Sequence, residues 1–254
     1  MVTCELQGGI GNQIMQIATV QSYGLKHGID IHIPVTKWDI EKRPVAFPHL
    51  FNSKYDNDLP TTVLFEDGFH YQELPFMESW RDGNICIKGY RQSYKYWDQS
   101  AEDIRRLLKL PKVSNQDVVS IHHRYGDYKN SPECHPIMPF SYLKKAVEHF
   151  KKQGYVDFLC FSDELSVLMD ILFDIEGCNF WDSREKTDLE EFNKMSSCKH
   201  NIIGNSTFSY MAAFLNTSHD KQVVCPHKSK HFGRAMRSNR MNDYYPENWI
   251  QIKF

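Results

Sequence analysis

Residues 117–128 read DVVSIHHRYGDY, and within six positions of this stretch stand His122, His123, Arg124 and Asp127. A guanidinium forks two N–H donors onto two phosphate oxygens, a geometry that a lysine ammonium cannot copy. Arg124 is therefore the candidate for gripping an anionic, phosphorylated ligand. Its competing reading is a structural salt bridge to Asp127 or another acid. His122 equally suits a hydrogen-bonded core histidine, and Asp127, after Gly126, a turn residue. A second anion-site candidate is Asn205-Ser206-Thr207-Phe208-Ser209, where hydroxyls and free N–H groups precede an apolar helical stretch. A helix dipole favours negative charge there, and N-capping by Ser206 or Thr207 is the alternative. Asp163 suits either a hydrogen-bond acceptor for a ribose or base, or the cap of the next helix. His227 and His231 stand four apart, but apart from Cys225 no acid or cysteine set nearby completes a metal site.

Several chemistries lack their motifs. There is no GxSxG elbow, Walker loop or HExxH helix, and no DxD-type pair at a strand end to hold a metal–nucleotide. A nucleotide sugar would have its diphosphate neutralised by arginine and backbone dipoles instead. The 254 residues carry a net charge of −2, which offers no general attraction for nucleic acid or an anionic membrane. Seven scattered cysteines without a CxxC pair read as small buried residues in a reducing compartment. The N-terminus lacks the basic and apolar regions of a signal peptide. No run approaches the roughly 18 apolar residues of a membrane span. Sequons at Asn205 and Asn216 carry no weight without a secretion signal.

The elements that must position these groups alternate between strand and helix. Val2–Leu6 is extended, the glycine-rich Gln7–Gln13 follows, and a helix runs to about Lys26 with Ile14, Ile17 and Ala18 on its apolar face. Gly8, Gly9 and Gly11 are set too tightly for a GxGxxG fingerprint, yet they permit positive φ and close approach of a ligand. Ile29–Pro34 alternates as a second strand. Residues 37–84 are irregular, 84–88 alternate again, and a helix over about 98–110 stops at Pro111. Pro111–Gln116 is the candidate hinge, with domains at 1–113 and 114–254. Beyond it, strands are expected at 117–123, 156–161, 179–182, 201–204, 222–225 and 249–254. Helices are expected from Phe140 to Gly154 and at 165–173, 188–197 and 210–215. Such alternation means an α/β protein with parallel sheets and polar sites at the strand ends.

Taken jointly, the stretches resemble the GDP-L-fucose-dependent α-1,2-fucosyltransferases of glycosyltransferase family 11. GGIGNQIMQIA at 8–18 resembles the family's GGLGNQMFQYA opening, and GYRQSYKYW at 89–97 its GYWQS segment. HHRYGDY at 122–128 is similar to H-x-R-R-G-D-Y, FSDE at 161–164 to FSDD, and 188–216 to the LMS-C-KH-I-NSSFSWW-AWL block. The ending from Asp243 through PENWIQI resembles a D-P-W-I tail.

The resemblance implies two Rossmann-like domains of the GT-B type, an acceptor-side N-terminal domain and a C-terminal domain for GDP-L-fucose. It implies metal-independent, inverting transfer to a sugar hydroxyl, usually O2 of galactose, with no cofactor. Carried over by position, Arg124 would hold the β-phosphate and His122 and Asp127 would line the donor site. Asp127 is also the candidate base, Asp163 would hold the nucleoside, and Asn205 falls within the donor block. Ser206, Thr207 and Ser209 would donate to the diphosphate. Gly9, Gly11, Asn12 and Gln13 would face the cleft from the N-terminal half. The chain departs from the pattern at Tyr125, where a second arginine is usual, at Tyr210 and Met211 in place of two tryptophans, and at Met15 in place of phenylalanine. The expected partners are GDP-L-fucose and a galactose-containing glycan, without nucleic acid, in a cytoplasmic bacterial or viral type of enzyme rather than a Golgi form. Another linkage or nucleotide sugar on the same fold, or a catalytically silent sugar-nucleotide binder, are the alternatives.

Overall fold

The computed structural model describes residues 1–33, 46–50, 59–97, 101–111 and 116–254. The chain divides into two units, 1–109 with 240–245, and 110–239 with 246–254. The expected hinge at Pro111–Gln116 falls largely outside the described residues.

In the first unit, β1 (Val2–Cys4), β2 (Thr61–Leu64) and β3 (Asn84–Ile87) form a parallel sheet of order β1-β3-β2. Helix α1 (Ile10–His27) buries Ile14, Ile17 and Ala18 as expected, together with Ile10, Met15 and Val20. It ends at Gly28, whose φ of 62° lets its N–H return to the Gly24 carbonyl. The expected second strand at Ile29–Pro34 amounts, within the described residues, to isolated bridging such as Val2 with Ile31, while β2 arises inside the stretch read as irregular. The GYRQS turn is built around charge. Glu66 accepts the N–H groups of Tyr90 and Arg91 at 2.7 and 2.6 Å. Arg91, 1% exposed, donates to the carbonyls of Lys88 and Leu64 and to the Tyr96 hydroxyl. A short helix α2 (Ala101–Leu107) completes the described part of this unit before the boundary.

The second unit is a six-stranded parallel sheet of order β6-β5-β4-β7-β8-β9. Its strands are β4 (Gln116–His123), β5 (Phe158–Ser162), β6 (Cys178–Phe180), β7 (Cys198–Ile202), β8 (Val223–Pro226) and β9 (Ile250–Ile252). The connecting helices are α3 (Phe140–Lys151), α4 (Leu165–Ile171), α5 (Asp188–Ser196) and α6 (Thr207–Phe214). Counted from β4, the order is that of a doubly wound Rossmann sheet, and it reverses direction between β4 and β7. Val119 and Ile121 of β4 pack with Phe158, Ile202, Val224 and the α3 residues Tyr142, Leu143, Val147 and Phe150 in one core. Residues 119–123 of β4 are all buried, because a central parallel strand is covered on both faces. Strand β7 starts three residues earlier than expected, since His200 is buried and stacks on Phe150 at 5.1 Å.

Candidate functional site

Strand β4 delivers Arg124 just past the carboxyl edge of the sheet, at the point where the strand order reverses. The Arg124 Nε donates to Asp127 Oδ1 at 2.8 Å and lies 3.1 Å from Asp163 Oδ2. Nη1 and Nη2 donate to no described residue. One edge of the guanidinium is therefore clamped by two carboxylates while the fork itself is open, and the side chain remains 28% exposed. Burial pulls the Arg124 pKa down, but the Asp127 hydrogen bond and the Asp163 charge lift it above its ordinary value. The salt bridge to Asp127 and a free ligand-facing edge coexist.

Asp163 does not cap the following helix. The cap position of α4 is Glu164, whose N–H goes to Ser162 Oγ at 3.1 Å. The Asp163 carboxylate instead accepts the N–H groups of Tyr125 and Gly126 at 2.9 and 3.1 Å. A Cβ added at Gly126 would come 2.6 Å from Asp163 Oδ2, which is why the loop has a glycine there. The end of β5 thus holds the loop after β4 in place, and Arg124 with it.

The loop after β7 is tied to the same place through Tyr128, whose hydroxyl donates to the Asn205 carbonyl at 3.3 Å and also pairs with the Ser206 side chain. Burial pushes the Tyr128 pKa up to about 12. The Asn205 amide donates to the carbonyls of Pro136 and His231, bracing the loop from inside. Ser206 is the N-cap of α6 and accepts the Phe208 N–H. The fully buried Ser209 hydroxyl donates to the Ser206 carbonyl at 3.2 Å and so supports the cap from within. The Thr207 hydroxyl has no partner among the described residues.

His122 is buried against Phe208 at 5.6 Å, and burial, followed by the Arg124 charge, pushes its pKa down to about 3. It is a neutral ring at working pH. His123 is likewise buried, and since the Met138 carbonyl accepts from Nε2, at 3.1 Å, the neutral ring carries its proton there.

Glu191 of α5 is a residue that motif reading passed over. Burial, then the charges of Asp188 and Asp163, raise its carboxyl pKa to about 7, with Arg124 opposing. Its sequence signal is faint, one acid among several in the first two turns of a helix. Only folding shows that it shares a field with Arg124 and Asp163. Among the described residues, no three His, Cys, Asp or Glu side chains converge as metal ligands. His227 and His231 flank a single 3₁₀ turn rather than sharing an α-helical face.

The other expected site residues lie in the first unit. Gly9, extended at φ −78°, precedes α1, and Gly11 lies inside it, so only Gly8, at φ 75°, needs glycine's freedom in this turn. Gln13 Nε2 donates to the Gly8 carbonyl at 3.1 Å, and Asn12 accepts from Gln92 at 3.2 Å. The opening motif and GYRQS therefore meet within one unit.

The model of Glycosyl transferase family 11 matches residues 86–253, about two thirds of the chain, and the chain belongs to that family. It is 34% identical over 151 residues to the O-antigen biosynthesis glycosyltransferase WbnK of Escherichia coli, covering 58% of this chain and 48% of that protein. The chain therefore spans about half the length of that relative. It is 24% identical over 302 aligned residues to an alpha-1,2-colitosyltransferase of Escherichia coli, covering 100% of this chain and 99% of the other. In fold it resembles the fucosyltransferase NodZ from Bradyrhizobium, with TM-score 0.50 and 13% identity over 84% of this chain and 91% of NodZ.

Proposed function

We propose that the protein transfers L-fucose from GDP-β-L-fucose to O2 of a galactose in a glycan acceptor, forming an α-1,2 linkage with inversion and without a metal ion. In this reading the two units are Rossmann-like domains of the GT-B type, the first serving the acceptor and the second the donor. The observation that carries it is Arg124, clamped at Nε by Asp127 and Asp163 with both Nη groups open. As the glycosidic bond breaks, negative charge accumulates on the departing diphosphate. A cation already fixed at that position stabilises the charge without having to reorganise. Thr207 Oγ1 and the N-terminus of α6 add donors to the same diphosphate. Asp163, the residue expected to hold the nucleoside, acts by positioning Arg124. The acceptor O2 forms its bond to C1 on the face opposite the departing GDP and releases its proton. Asp127, 54% exposed, is the candidate to take it.

The test is incubation with GDP-fucose and lactose-type acceptors, with and without EDTA. Fucosylated product at an undiminished rate in EDTA is expected, and turnover abolished by EDTA would sink the metal-free mechanism. Binding of GDP-fucose without turnover on any galactoside would favour a silent binder. The relative aligned along the whole chain is named for colitose transfer, so a colitosyl donor is the second reading. Faster turnover of that donor than of GDP-fucose would establish it.

A further inference from the structure

The first unit holds an open pocket with a cavity volume of about 130 Å³, lined by Thr19, Ser22, Tyr23, Lys26, Tyr71, Leu74, Lys95 and Tyr96. Part of this lining is already committed to the scaffold. The Thr19 hydroxyl donates to the Met15 carbonyl and the Tyr23 hydroxyl to the Pro75 carbonyl, while Tyr96 accepts from Gln72 and Arg91. The partly exposed Tyr71 ring forms an aromatic wall, backed by the buried Tyr96 ring 5.0 Å away at 49°. What remains open is polar. The Ser22 and Tyr71 hydroxyls have no hydrogen-bond partner among the described residues, and two ammonium groups stand beside them. The nearest carboxylates are Glu73, 3.6 Å from Lys26, and Asp243, 4.0 Å from Lys95. Lys26 is 56% exposed and Lys95 47%, and exposed pairs at such spacings contribute little and exchange readily for a better anion. The Asp243 carboxylate is in addition engaged by the Tyr71 N–H at 2.9 Å.

The Tyr71 face suits the C–H face of a pyranose, the hydroxyls suit its ring substituents, and the ammonium groups of Lys26 and Lys95 suit a carboxylate. Free phosphate would use the cations but not the wall. We infer that this pocket binds a carboxylated sugar, a hexuronate unit of the acceptor glycan. The inference rests on the acceptor-side reading of the first unit but not on the identity of the donor.

Saturation-transfer NMR on the full chain, with methyl glucuronide and methyl glucoside as probes, tests it without requiring turnover. Transfer to the glucuronide ring protons is expected, with the glucoside binding about tenfold more weakly. The double substitution Lys26→Ala with Lys95→Ala should erase that preference. Ser22→Trp, on the outer side of α1, should block both sugars while leaving the melting temperature unchanged. Equal binding of the two sugars, or glucuronide binding indifferent to these substitutions, overturns the inference. Calorimetry with GDP reads the donor site separately. Loss of GDP binding in Arg124→Ala with glucuronide binding intact would keep the two readings apart, whereas absent GDP binding in the parent chain counts only against the donor reading.

Discussion

A guanidinium held at one edge and open at the other presents two parallel donors in a fixed direction, which a flexible ammonium cannot do. Arg124→Lys should therefore lower kcat by about 10²–10³-fold, while GDP-fucose binding weakens less. A near-parental kcat in steady-state assays would show that the fork is irrelevant. Glu191 makes a different prediction, about stability. Its pKa is raised in the fold to about 7 from an ordinary 4.5, so the native state holds this proton more tightly than the unfolded chain. The associated stability is fully present below about pH 4.5 and is lost as pH rises through about 7. Glu191→Gln should match the parent near pH 4 and exceed it at pH 8 by about 2 kcal/mol in urea unfolding, allowing for partial exposure. An unchanged difference across that range would mean that Glu191 is not perturbed.

At the scale of elements, the reversal between β4 and β7 creates the site, because two neighbouring strands send their following segments in opposite directions. The loop after β4 brings Arg124 and Asp127, and the segment after β7 brings Thr207 at the start of α6. Asp163, at the end of β5, locks the first of these through two backbone N–H groups. Gly126→Ala should push Asp163 away and reduce activity with little loss of global stability, as kcat and melting temperature measured together would reveal. The core beneath is a separate matter. Phe150 is fully buried and stacks on His200, so Phe150→Ala should cost about 3–5 kcal/mol in chemical unfolding. A cost under 1 kcal/mol would mean that the layer between α3 and β7 closes over the cavity.

At the scale of the whole chain, the telling segment is 240–245, which belongs to the first unit although the chain around it builds the second. Asp243 accepts the Tyr71 N–H, and its carbonyl accepts from Ser93 across 150 positions of sequence. Asp243→Ala leaves the Tyr71 amide without that acceptor and should destabilise the first unit by about 1–3 kcal/mol. Faster hydrogen exchange at the Tyr71 amide is the readout, and unchanged exchange there would refute the assignment. Among the described residues no helix is long and apolar enough to cross a membrane. All seven cysteines are free thiols, five of them buried.

The amino-acid sequence by itself determines whatever depends on neighbours along the chain. The α/β class, most strands and helices of the second half, and Arg124 as the residue to watch all follow from periodicity, glycine placement and side-chain chemistry. The family blocks were equally visible, since they are contiguous runs. The direction in which a group is used depends on partners far away in sequence. Nothing local distinguishes a helix cap at Asp163 from the clamp that it forms on Tyr125, Gly126 and Arg124. Nothing in DLEEF singles out Glu191 before the fold brings it into the field of Asp163 and Arg124. Folding alone brings 163 and 191 to 124, and 243 to 71, because hydrogen bonds and fields act over a few ångströms of space regardless of the length of chain between them.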